Sequence, residues 1–124
     1  MNTVELYIAK ADETLLEAKL MLQNGFYSGT VSRAYYAAFH SIQALLENID
    51  ISVKTHQGVL MMFSKHFIKT EIFPKQIVKF LKQNLDKRLL GDYEVGFKAT
   101  DEDALLAVEH AEKIVITIKI YLNL

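Results

Sequence analysis

Ser32-Arg33-Ala34-Tyr35-Tyr36-Ala37-Ala38-Phe39-His40-Ser41-Ile42-Gln43-Ala44-Leu45-Leu46 decides how the rest of this chain is read. Set out at about 100° per residue, Val31, Tyr35, Ala38, Ile42, Leu45 and Ile49 form one apolar stripe, which Ala34, Phe39 and Leu46 widen. That stripe predicts a helix with its core face on this side. The opposite side lines up Arg33, Tyr36, His40, Gln43 and Glu47, with the small Ala37 and Ala44 beside them. A merely solvated face would be richer in Lys and Glu and would need neither a histidine nor an aromatic ring.

Helical periodicity extends outward in both directions. Before the stretch, Val4, Ile8, Ala11, Leu15, Ala18 and Leu22 recur at helical spacing, with Lys10, Glu13 and Glu17 on the wet side. Asn24-Gly25 then supplies residues able to take left-handed backbone angles, which stops one helix and allows the next to return antiparallel to it. After about Asn48, residues 49–54 lead to a third helix capped by Thr55, in which His56, Val59, Leu60, Phe63 and Phe67 share a face. His56 reads either as a buried or half-buried histidine bonded to backbone or as a binding residue, its neutral form favoured by the helix N-terminus.

Pro74 suits the first turn of a fourth helix running through Ile77, Val78, Leu81, Leu85 and Leu89 to about Leu90. Its outer side carries Lys75, Lys79, Lys82 and Lys87, with Arg88 at the border of the apolar face; this reads either as a solvated face or as a phosphate-binding one. Residues 91–99, with Gly91 and Gly96, read as a long loop of the kind that often carries function. Thr100 followed by Asp103 resembles a capping box and starts the last helix. That helix packs through Leu105, Val108, Ala111, Val115, Ile118 and Leu122, while Ile114, Ile116 and Ile120 exceed one stripe and point to a second partner surface, for another protein or another copy of the chain. The expected architecture is all-α, a single domain over residues 1–124 built as an up-and-down bundle of four to five helices.

Composition narrows the chemistry. Among 124 residues there is one proline and no cysteine, and the formal net charge is −1. Disulfides, thiol catalysis and thiolate zinc sites are excluded, and no global basic field draws in nucleic acid. The start of the chain shows no signal-peptide pattern, and the apolar run 114–122 is too short for a membrane span, so the expected location is cytoplasmic, away from membranes. The positions three before His40, His56, His66 and His110 are Ala37, Val53, Phe63 and Ala107, which rules out a Glu-x-x-His di-iron bundle. No metal site, cofactor fingerprint or DNA-reading helix is expected.

Arg33 and His40 lie seven residues apart on one side of a helix, about 10 Å along its axis, a span that a phosphodiester can bridge. Histidine moves protons near neutral pH and arginine neutralises phosphate, so the pair suits metal-free RNA cleavage. The alternative is a structural Arg33 paired to a carboxylate such as Asp92, with His40 exposed. Tyr36 reads either as a ring that stacks a base or as packing at a helix crossing.

Several separated blocks together resemble the HEPN-domain family: Ser32 to His40, Ala44-Leu45-Leu46, Thr55-His56-Gln57-Gly58-Val59, Phe63 to Phe67, and Arg88 to Asp92-Tyr93. The similarity is to its branch of small prokaryotic proteins. It implies a four- or five-helix bundle, a two-fold homodimer, and a toxin–antitoxin role beside a small nucleotidyltransferase. Active members of the family resemble metal-independent endoribonucleases that use an Arg followed, after four to six residues, by His. The matching late position here is Arg88, and its window holds Tyr93, Glu94 and Val95 instead. Neither Tyr nor Glu replaces a neutral-pH proton shuttle without a large pKa change. The expected site is therefore Tyr36, His56, Arg88, Asp92 and Tyr93 for binding RNA, a nucleotide or the partner protein, with Arg33 and His40 as the candidates for catalysis; a third reading is a purely structural assembly or antitoxin-like subunit.

Overall fold

Residues 1–124 are described by a computed structural model in which five α-helices run α1 (Thr3–Gln23), α2 (Tyr27–Glu47), α3 (His56–Phe63), α4 (Lys75–Tyr93) and α5 (Asp101–Leu122), with no strand. A π-helical turn, Ser64–Ile68, continues α3. The architecture is the all-α bundle that the periodicity predicts.

Local chemistry sets the ends. Between α1 and α2, Gly25 takes a φ of 79°, a region that glycine enters without steric penalty. Its left-handed turn lets the Phe26 amide reach the Met21 carbonyl at 2.9 Å and the Gly25 amide reach Leu22 at 3.2 Å, which closes the end of α1 as a Schellman motif. Thr55 caps α3 by accepting from the Gly58 amide at 3.0 Å. Thr100 and Asp103 cap α5 reciprocally, each side chain accepting from the other's amide at 3.1 Å. Pro74 sits one position earlier than expected, as the N-cap of α4.

α2 is the central helix. It packs against α1, α3, α4 and α5, and twelve of its 21 residues are buried. Ala37 and Ala44, expected beside the polar face, are fully buried because neighbouring helices cover α2 on nearly every side. Ile49, expected in the stripe, is exposed beyond the helix end.

Two further expectations are corrected. α4 does not end at Leu90 but carries through Gly91, Asp92 and Tyr93, leaving a connection of only seven residues, 94–100. The cost of a helical glycine, about 1 kcal/mol, is offset in part by the Arg88–Asp92 pair one turn apart. In α5, Ile114 belongs to the core and Leu105 to the surface, while Ile116 and Ile120 are exposed as the surplus predicted. No helix is long and apolar enough to cross a membrane.

Candidate functional site: a Tyr–His–Arg cluster where three helices meet

The uncovered strip of α2 faces the start of α3 and the last turns of α4, and there the polar residues of three segments meet. Arg88 reaches across from α4 to donate from Nη2 to the Tyr36 hydroxyl at 2.9 Å, and lies 3.4 Å from Asp92 Oδ2. The guanidinium carbon stands 4.8 Å from the centre of the Tyr36 ring and 5.7 Å from that of Tyr35, within the range of cation–π attraction. Its Nε is buried and has no partner.

Tyr35 is fully buried in the core, as the stripe requires, yet its hydroxyl emerges 3.3 Å from His56 Nδ1. Burial pushes the Tyr35 phenol up to about 12, with Arg88 opposing. The phenol therefore keeps its proton at neutral pH, and as a group that both donates and accepts it can pair with His56 Nδ1 in either tautomer. The His56 ring stacks flat on Phe39, with centroids 4.2 Å apart and planes at 16°, and meets the edge of Tyr36 at 5.8 Å. The residue as a whole is exposed and its polar contact is to a side chain, not to backbone. Desolvation against Phe39 first, and the charge of Arg88 second, lower its pKa.

His40 is half-buried one turn further along α2, its ring stacked on Tyr36 at 6.1 Å. Its Nδ1 lies 2.9 Å from Gln43 Oε1. A carbonyl oxygen only accepts, so Nδ1 carries the proton and Nε2 holds the free lone pair. Burial is the main cause that lowers the His40 pKa; Lys10, Arg33 and His56 add to it, and the Gln43 bond opposes.

Two expected members stand apart. Arg33 is exposed on the α1 side, 4.0 Å from Glu17, and makes no bond to His40. The carboxylate it faces is thus Glu17, and Asp92 serves Arg88 instead. Tyr93 is strongly exposed in a shallow groove with Asp86, Leu89, Leu90 and Glu94. Gln43 and Phe39, by contrast, orient the two imidazoles and were not expected to. A buried tyrosine hydroxyl must find a partner, and that rule applied to Tyr35 is the signal that could have tied it to His56. No group of three His, Cys, Asp or Glu residues gathers in a way that could hold a metal ion.

What the cluster offers is a partly desolvated cation, an imidazole lone pair on His40 and the exposed imidazole of His56, arranged around one phenol ring. Such groups can bind a phosphate and its flanking sugar, and one can accept a proton.

Known proteins place this scaffold. The chain is 34% identical over 116 residues, 94% of its length and 86% of the relative's, to a Methanocaldococcus jannaschii protein named "putative toxin MJ0605". A second protein of that organism, named "putative toxin MJ0142", is 34% identical over 101 residues, 82% of this chain and 69% of its own. The crystal structure of TT1696 from Thermus thermophilus has the same fold, with a TM-score of 0.82 at 19% identity over 96% of this chain and 98% of that one. A model of the HEPN domain matches residues 4–121. The match takes in all five helices and the whole Tyr–His–Arg cluster, and this chain belongs to the HEPN-domain family.

Proposed function

We propose that the chain is a toxin-type HEPN protein that binds RNA or a nucleotide through a phosphate, at the surface where α2, α3 and α4 meet. The observation that supports this is the setting of Arg88. Its guanidinium is held over the Tyr36 ring and fixed by the Tyr36 hydroxyl, so little side-chain freedom is left to lose on binding. Its acidic partner is exposed: Asp92 forms a surface pair worth about 0–1 kcal/mol, which a phosphate can displace. Lys10 and Arg33 add positive charge on the His40 side. The toxin role is brought over from the two relatives so named; within it, a small nucleotidyltransferase is the proposed neutralising partner and a homodimer through exposed Ile116 and Ile120 the proposed assembly.

The test is binding of labelled single-stranded RNA, followed by fluorescence anisotropy in EDTA. Arg88→Ala removes a charged hydrogen-bonding group and is expected to weaken binding by about tenfold or more. Lys65→Ala, on the exposed side of the π-helical turn, is the control and is expected to change it less than about twofold. Equal small effects would remove Arg88 from the site.

One observation favours a second reading, metal-independent RNA cleavage: the outward lone pair on His40 Nε2. That nitrogen would take the proton of a 2′-hydroxyl as the 2′-oxygen attacks the adjacent phosphorus. The bond to the 5′-oxygen then breaks, leaving a 2′,3′-cyclic phosphate and a 5′-oxygen that takes up a proton. Neither Arg33 nor Arg88 is hydrogen-bonded to His40, so binding is favoured over turnover. Cleavage in EDTA that His40→Ala abolishes at unchanged helicity would establish this reading; cleavage unaffected by the substitution would end it.

A further inference from the structure

The outermost line of α5 is built unlike a solvated helix face. Directly opposite its buried side, at about 100° per residue, run Glu102, Leu106, Glu109, Lys113, Ile116 and Ile120. All six are exposed, the three aliphatic ones to 48%, 49% and 71%. Their spacing alternates between four residues and three, the repeat by which one helix lays a seam against another. α1 widens the surface. The Lys119–Asp12 pair, at 3.0 Å, and the Lys19–Glu112 pair tie α1 to α5 along one flank. Leu16 lies between Asp12 and Lys19 as Ile116 lies between Glu112 and Lys119, so the two stand at one level of that seam, both exposed, with exposed Leu20 one turn beyond.

We propose that this face pairs with the same face of a second copy of the chain, α5 against α5 and antiparallel, about a two-fold axis at the level of Ala111. This rests on the homodimer reading and specifies its direction and register. The order of charged and apolar residues carries the argument. In a two-fold contact, if residue i meets residue j of the other copy, then j meets i. With the axis at Ala111, Glu109 of each copy faces Lys113 of the other, and on either side of these two ion pairs Leu106 faces Ile116; Glu102 faces Ile120 at the two wet ends. Sliding one copy along the other by one heptad instead sets Lys113 against Ile116 and Glu109 against Ile120, or Leu106 against Glu109. A parallel pairing sets Glu109 against Glu109 and Lys113 against Lys113, and such like-charge contacts work against association. Of these arrangements, only the one centred on Ala111 matches opposite charges at its middle and apolar residues around them. The second copy lies away from α3, with which α5 makes no contact. Each copy therefore keeps a whole Tyr–His–Arg cluster to itself.

Glu109 and Lys113 are exposed, so their charges can be exchanged without disturbing the core, and circular dichroism checks that the helices remain. Sedimentation equilibrium is expected to show the parent as a dimer, and Glu109→Lys or Lys113→Glu alone to raise its dissociation constant about tenfold or more. Mixing the two variants in equal amounts restores dimers, because each then supplies the charge that the other faces. The chain has no cysteine of its own, which allows a second readout with the charges left in place. Leu106→Cys and Ile116→Cys chains, mixed and treated with a thiol cross-linker that spans the about 8–10 Å between packed helices, are expected to join. Leu106→Cys alone is not, since its two copies lie about 15 Å apart along the axis. Arg88→Ala is expected to leave the dimer as it is. A dimer that both single exchanges leave intact, or Leu106→Cys joining to itself, would overturn this register and leave the homodimer reading standing. Loss of the dimer in Arg88→Ala would move the interface onto the cluster and overturn the α5 pairing as well. A parent that sediments as a monomer would overturn the homodimer reading itself, and the register with it.

Discussion

The two halves of the core are built from different materials. Where α1, α2 and α5 meet, the interior is lined by Ala11, Ala18, Ala34, Ala37, Ala104, Ala107 and Ala111, with Val31, Val108 and Val115 between them. Where α2 meets α3, the π-helical turn and α4, it is filled by Tyr35, Phe39, Phe63, Phe67 and Phe73 with large aliphatic partners. Alanine faces let helices approach closely and fix their geometry through many small contacts. Rings hold helices further apart, leave a slot between α3 and α4, and allow the polar tip of Tyr35 to reach the surface from a fully buried ring. The first half is a frame; the second carries the candidate site because its bulk leaves gaps and its rings have polar edges.

The largest expected effect comes from the aromatic half. Phe67 is fully buried and meets Phe63, Phe73 and Tyr121, so Phe67→Ala should cost about 3–5 kcal/mol in urea unfolding. A loss below about 1.5 kcal/mol would mean that this half collapses readily around a deletion, contrary to the contrast drawn above. In the alanine half the sensitive change is the opposite one. Ala37→Leu should destabilise by about 1–3 kcal/mol through overpacking, and a neutral result would show that the close-packed frame has slack.

Asn84 joins the halves. It is buried on α4 and donates from Nδ2 to the Ala107 carbonyl of α5 at 3.1 Å. Asn84→Ala is expected to cost about 0.5–1.5 kcal/mol, and Asn84→Leu less, because leucine fills the volume that alanine leaves empty. If Asn84→Leu is the worse of the two, space and not hydrogen bonding governs the seam.

The smallest effect is on pH dependence. Burial lowers the pKa values of His40, His56 and His110 in the folded chain. An unfolded imidazole titrates near about 6.5, so below that pH the unfolded chain binds more protons and stability falls as pH falls toward the lowered values. Melting temperatures measured from pH 7.5 to 5 should decline more steeply in the parent than in His40→Gln. Identical slopes would show that His40 titrates as a solvent-exposed histidine.

Most of the fold was legible because its signals are local. The apolar spacing of α1 and α2, the Asn24-Gly25 stop, Thr55 before α3 and the Thr100–Asp103 box each act within a turn or two of chain. The failures share one cause. Ala37 and Ala44 were placed by their neighbours in sequence, but burial on α2 depends on how many helices surround it. Gly91 resembled a stop, yet α4 continues through it, with Arg88 and Asp92 paired one turn apart across it.

The same division runs through the candidate site. Sequence spacing alone placed Tyr36 and His40 on one side of α2, put Arg88 at the border of a basic helix, and left Arg33 as His40's apparent companion. Only tertiary packing decided that Arg33 turns to Glu17 and that Arg88, 52 residues from Tyr36, closes over its ring. A helical repeat fixes which face of its own segment a side chain occupies. Which other segment that face meets depends on how bulky cores set the distance between helices, and no local pattern encodes that distance.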